Sequence, residues 1–159
     1  MGAGGPGAAA APHGTTPDER RVTRFVTWDL NLEGGVGYSF AGQGEVAGFG
    51  RVRGGLLLVD SSDLSAPMFY SLGFFADGAS VEHGVTYGVQ GEVLSLNSGF
   101  WAQVGAGVDV APRPVVLGSV GWSVFGVEAQ GRFDPDAGAY AVLFGKLRIP
   151  IGIVQAATR

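Results

Sequence analysis

From Arg24 onward, apolar and polar residues alternate with a period of two and hardly a break, the signature of strands with one apolar and one polar face. Between Arg24 and Phe40 the even positions hold Val26, Trp28, Leu30, Leu32, Val36, Tyr38 and Phe40. The odd positions hold Thr27, Asp29, Asn31, Glu33 and Ser39. Ala41 to Gly44 reads as a turn. A second strand, about Glu45 to Val59, sets Val46, Val52, Leu56 and Leu58 against Arg51 and Arg53. The Ser-, Asp- and Pro-rich stretch from Asp60 to Pro67 ends it. A third, about Met68 to Ala79, sets Met68, Tyr70, Leu72 and Phe74 against Ser71, Gly73 and Asp77. A fourth, about Gly84 to Leu96, sets Val85, Tyr87, Val89 and Val93 against Thr86, Gln90 and Glu92, and Asn97-Ser98-Gly99 follows as a tight turn.

The fifth strand, about Phe100 to Val110, carries Phe100, Val104, Val108 and Val110 opposite Gln103, Gly105, Gly107 and Asp109. Pro112 and Pro114 close it, since proline cannot serve a central ladder. The next segment, Val115 to Asp134, changes phase. Val116, Val120 and Trp122 are apolar at even positions, whereas Val127, Ala129 and Phe133 are apolar at odd ones, opposite Glu128, Gln130 and Arg132. A one-residue slip turns every side chain over, so a bulge or a hairpin turn lies near Ser123 to Gly126. The turn is preferred because it makes the strand count even. The last strand, about Ala139 to Ile153, sets Leu143, Leu147, Ile149, Ile151 and Ile153 against Lys146 and Arg148. The pattern predicts an all-β chain of about eight antiparallel strands, an up-and-down β-barrel, with no helix.

Two barrels share this pattern, one with the apolar face inside and one with it outside, against lipid. The polar face carries six acids (Asp29, Glu33, Asp77, Glu92, Asp109 and Glu128) and five bases (Arg51, Arg53, Arg132, Lys146 and Arg148). Such balance suits a closed lumen, where charges must be paired. An eight-stranded lumen is just filled by its inward side chains, and the polar face is rich in glycine, which leaves room for long Arg and Glu side chains. The large residues of the other face, among them Trp28, Leu30, Leu32, Tyr38, Tyr70, Phe74, Phe100 and Trp122, overfill such a lumen but fit outside as a lipid-facing surface. Pairing across the first hairpin brings Arg51 and Arg53 opposite the acids Asp29 and Glu33, and Arg132 is expected to face Lys146 or Arg148.

Composition narrows the functional classes. Of 159 residues only 15% are charged, against 46% hydrophobic, and 29 are glycine. A soluble domain is nearer a quarter charged. The net charge of −4 gives no basic footprint for nucleic acid. The absence of cysteine excludes disulfides, thiolate metal sites and a cysteine nucleophile. No run is long and apolar enough for a membrane helix. Residues 1–20 are Gly, Ala, Pro and polar residues without periodicity and without the segments of an export signal, and read as a disordered leader; residues 21–159 form one barrel domain.

On the dyad periodicity, the charge-balanced polar face and the aromatics near strand ends, the chain resembles the small eight-stranded outer-membrane barrels of the OmpA, OmpX and OmpW type, over about Arg24 to Ile153. The resemblance implies a bacterial outer-membrane location, both termini in the periplasm and membrane lipid as the partner, with a homo-oligomer open. The chain departs from these families in its last residues, Gln155 to Arg159, which hold no aromatic, and in its short connections, which leave no long loop for adhesion.

Candidate chemistry is sparse. His13 lies in the leader. His83, with Glu82 and Ser80, is the one set that could form a Ser–His–acid arrangement of a lipid-modifying barrel enzyme, and such a set is recognised by geometry, not by nearness in sequence. Gly34 to Gly37 and Gly48 to Gly50 have phosphate-loop spacings, but no helix follows. Asp29 and Glu33 read as salt-bridge partners, and Asp134 to Gly138 as a plain turn lacking the full calcium-loop pattern. The spacing calls for no metal or cofactor. The expected function is a non-enzymatic membrane barrel, structural or a narrow conduit for small or apolar compounds. The alternatives are a soluble barrel or sandwich that binds an apolar ligand, and a subunit whose apolar face is buried by copies in a tube or shell.

Overall fold

Short turns between successive alternating segments leave each strand only its sequence neighbours to pair with, and the ladder they form closes on itself. The computed structural model describes residues 24–41, 44–63, 65–80, 84–135 and 138–157; the expected leader, His13 and His83 lie outside them. The strands are β1 (Arg24–Ser39), β2 (Glu45–Asp60), β3 (Met68–Ala79), β4 (Val85–Ser95), β5 (Phe100–Asp109), β6 (Pro114–Trp122), β7 (Phe125–Asp134) and β8 (Gly138–Pro150). All are antiparallel, in the order β1 to β8, and β8 pairs back onto β1 to close the barrel. The phase change of Val115 to Asp134 is a hairpin: Trp122 pairs with Phe125 across Ser123 and Val124, and Ser123 takes a φ of 55°.

The expectation of a continuous last strand and no helix is corrected. β8 stops at Pro150, and a short helix, α1 (Ile151–Ala157), follows. Proline has no N–H for the ladder, and its fixed φ suits a helix start. Ile151 and Ile153, read as outward strand residues, therefore leave the wall, and Ile153 turns inward until it is 6% exposed.

Inward glycines set the cross-section. Gly55 faces Gly73, Gly88 faces Gly107 and Gly121 faces Gly126. At Gly55, Gly73, Gly88 and Gly107 a Cβ atom would stand 2.2–2.5 Å from backbone of the neighbouring strand, and at Gly37 it would stand 1.7 Å from the Leu143 carbonyl oxygen across the β1–β8 seam. These close approaches fall at every second interface: β8/β1, β2/β3, β4/β5 and β6/β7. They are corners at which the wall bends more sharply than any side chain allows. Glycine on the polar face is expected to make room for arginine and glutamate; at these positions the tighter constraint is the neighbouring backbone. At the β6/β7 corner Gly121 and Gly126 also seat Trp101, whose ring atoms come within 2.3 and 2.5 Å of where their Cβ atoms would be.

Candidate functional site: a sealed, ion-paired lumen

Odd positions of β1 to β3 and even positions of β4 point inward, and the same alternation continues round the barrel. It brings all eleven charged residues of the polar face inside, each at most 6% exposed. Nine of them form two groups. In the first, the Arg51 guanidinium meets three carboxylates. It donates to Asp77 Oδ2 from Nε and Nη2 (3.2 and 2.8 Å), to Glu128 from both terminal nitrogens (2.9 and 2.8 Å), and to Glu33 Oε2 (3.3 Å). Glu33 and Asp77 stand directly opposite Arg51 on the adjacent strands, whereas Glu128 reaches it across the lumen from β7. Lys146 Nζ lies 2.7 Å from Glu33 and 2.8 Å from Glu128. In the second group Arg53 Nη2 sits 2.6 Å from both Asp29 and Glu92. Arg148 pairs with the other oxygen of Glu92 at 2.6 Å, and Asn31 donates to Asp29 at 2.7 Å.

Gln103 joins the two groups. Its Nε2 donates to Glu33 (2.9 Å) and Glu92 (3.0 Å), and its Oε1 accepts from Lys146 (2.5 Å) and Ser119 (2.9 Å). The expected approach of Arg132 to Lys146 or Arg148 is corrected. Arg132 is paired with Tyr140, and its Nη2 donates to Gln130 Oε1 (3.0 Å), while Gln130 Nε2 donates to Glu128 (2.8 Å). The strands β7 and β8 are joined by a tight hairpin, so a residue near the start of that turn meets one near its end; Lys146 lies opposite Gly126 instead. This amide relay explains the charge balance. The Arg51 group holds three acids and two bases, and Arg132 offsets the excess at one amide's remove. Asp109 belongs to a separate rim cluster. Its Oδ1 accepts from the Ala111 and Arg113 amides (2.8 and 3.0 Å), and Arg113 bridges Asp109 and Asp134 at 2.7 and 2.5 Å.

Apolar layers close both ends of the polar layer. Toward the β1–β2 turn, Ala47, Phe49, Ala79, Val142 and Phe144 pack together, with half-buried Tyr140 against them. Phe49 and Phe75 also sandwich the Arg51 guanidinium at 5.0 and 4.9 Å, a favourable stacking for a desolvated cation. At the other end Leu57, Val59, Phe69, Leu94, Trp101 and Ile153 form a second plug, and Trp101 stacks under Arg148 and Lys146 at 4.9 and 5.4 Å. On the β3–β4 side, Ser71, Thr86 and Gln90 carry buried polar atoms with no hydrogen-bond partner among the described residues.

Sequence reasoning missed the amides and the plugs. Parity had placed Gln103 and Gln130 on the polar face, and an amide on a buried face is a bridging signal in its own right. Neighbouring aromatics such as Phe74-Phe75 and Phe100-Trp101 put one ring on each face, so one of each pair belongs to the lumen. Of the large apolar residues assigned outward, Trp28, Leu32, Tyr38, Tyr70, Phe74, Phe100 and Trp122 are exposed, whereas Leu30 is half-buried beside α1.

The remaining candidates sit apart from this lumen. Ser80 Oγ accepts the Gly48 amide (2.8 Å), and its possible partners Glu82 and His83 lie outside the described residues. The glycines at 34–37 and 48–50 fall within β1 and β2, so no helix N-terminus faces a phosphate there. No cluster of three or more His, Asp or Glu suited to a metal ion occurs among the described residues. Comparison of the chain with family models, with curated proteins and with solved structures returns no match.

Proposed function

We propose that this chain is a non-enzymatic barrel of a bacterial outer membrane, its outer wall against lipid and its lumen closed. One observation carries the reading. Between the rims, the outward positions of all eight strands hold only glycine, alanine, larger aliphatic and aromatic residues; among the described residues the ionised groups at outward positions are Arg24 and Asp60, paired with each other at one rim (3.1 Å). Among the described residues, thirty-three large apolar side chains are exposed. A monomer in water rarely exposes apolar patches beyond a few hundred Å², whereas a lipid-facing wall demands this exclusion, because a mid-bilayer Arg or Lys costs about 2–4 kcal/mol. Strands of 9 to 16 residues reach or exceed the roughly 9–11 residues that a tilted strand needs to cross the hydrocarbon. Of the two roles open to such a barrel, the structural one is favoured over the conduit, since ion pairs fill the lumen and apolar plugs lie across both ends.

Because the chain has no cysteine, single nitroxide labels can be placed through Leu72→Cys and Val104→Cys and read in lipid vesicles. Both labels are expected to collide freely with oxygen and poorly with an aqueous reagent. Equal access from water favours the soluble barrel, and labels shielded from both reagents favour a tube or shell of copies; either result overturns the membrane reading.

A further inference from the structure

The two plugs are built differently. The one formed by Ala47, Phe49, Ala79, Val142 and Phe144 comes wholly from wall strands, so it moves only if the barrel does. The other includes one residue that does not belong to the wall, Ile153 of α1. Pairing of β1 with β8 begins at Asn31–Pro150, while β1 itself runs back to Arg24 along β2. The wall is therefore notched on the β8 side, and α1 enters through that notch. Gly152 makes the passage: a Cβ there would stand 2.9–3.0 Å from the β1 backbone at Trp28 to Leu30.

Among the described side chains of α1, Ile153 reaches deepest; Gly152 is buried against β1 and Ile151 is half-buried. The helix has seven residues, with no acid in its first turn and no base in its last. A helix so short is not stable in isolation. Among the described residues no hydrogen bond ties Ile151 to Val154 to the strands, and Val154 is exposed. What lies beneath is apolar: Leu57, Val59, Phe69 and Leu94 line the mouth, and Trp101, completely buried, forms its floor with its indole N–H on the Ser123 carbonyl (2.9 Å). Among the described residues, opening this end breaks no ion pair.

We propose that α1 is a detachable stopper: its release, held back chiefly by the Ile153 side chain, opens this end of the lumen down to Trp101 while the ion-paired layer behind stays shut. The vacated mouth is an apolar recess fitted to small aliphatic or aromatic molecules and not to ions. The inference is independent of what covers the outer wall.

The test uses Trp28→Phe and Trp122→Phe together, which leave Trp101 as the single tryptophan. In the folded parent its fluorescence should resist quenching by acrylamide. Ile153→Ala, and a chain ending at Pro150, should each raise the quenching constant several-fold and shift the emission to the red, with strand content unchanged by circular dichroism. In the unaltered protein the amides of Gln155 to Ala157, the ones that α1 itself can hydrogen-bond, should exchange with deuterium orders of magnitude faster than those of β2 and β3. Trp101 staying protected in both variants overturns the proposal. So does exchange of α1 in step with the strands. Variants that no longer fold would make α1 an integral part of the barrel and overturn it equally.

Discussion

Arg51→Ala is the most informative single perturbation of the lumen. The side chain is wholly buried and makes five hydrogen bonds to three carboxylates. Its loss leaves Glu33 and Glu128 sharing Lys146, and leaves Asp77 with no cation within 4 Å among the described residues. Removing one partner of a buried pair costs about 3–5 kcal/mol, because the other charge stays desolvated. With three acids affected, and only two of them still served, the expected loss lies at the upper end, about 4–5 kcal/mol. That is about a quarter or more of the roughly 5–15 kcal/mol that holds an ordinary domain together. Urea unfolding of the refolded protein, followed by circular dichroism, measures it. Two further arginines calibrate the scale. Arg113→Ala breaks the rim pairs to Asp109 and Asp134, where the side chain is 21% exposed, and should cost about 1–3 kcal/mol. Arg113 is thus no indifferent turn residue. Arg24→Ala breaks an exposed pair and should leave the midpoint where it was. Adding Asp77→Asn to Arg51→Ala removes the carboxylate left without a cation and should recover about 1–3 kcal/mol. An Arg51→Ala midpoint no lower than that of Arg24→Ala would refute the account of the lumen as a buried, mutually dependent network.

The remaining predictions probe the bridge, the corners and the plugs. Gln103→Leu severs the link between the two ionic groups and strips a donor from Glu33 and Glu92, so it should destabilise by about 2–3 kcal/mol in the same assay; a neutral outcome would mean that the two groups are independent. Gly121→Ala and Gly126→Ala push a methyl into Trp101 and should each cost about 1–3 kcal/mol. Gly118→Ala, which points outward with nothing within 4 Å, should be neutral, and equal effects at all three would discount the corners. Planar-bilayer recordings of the monomer should show no steady ionic conductance, and a large stable one would contradict the sealed lumen.

Much of this protein was written locally. The period of two, the Gly-, Asn- and Pro-rich turns and the phase change after Trp122 were enough to define eight strands, their pairing with sequence neighbours and the residues that share a face, because alternation of side chains is a property of each strand by itself. What the local pattern could not contain is which inward side chains meet. That depends on strand tilt and register summed around a closed wall, and so the meeting of Glu128 with Arg51 across the lumen, the bridging by Gln103 and the placing of Arg132 on Gln130 appear only in the folded barrel. The glycines show the same division: their inward position follows from parity, but their role as corners exists only where two glycine-bearing strands lie side by side. Ile151-Gly152-Ile153 is the sharpest case. As sequence it continues the alternation of β8, and it becomes a helix because Pro150 ends the ladder while an apolar mouth, assembled from β2, β3, β4 and β5, stands open to receive Ile153.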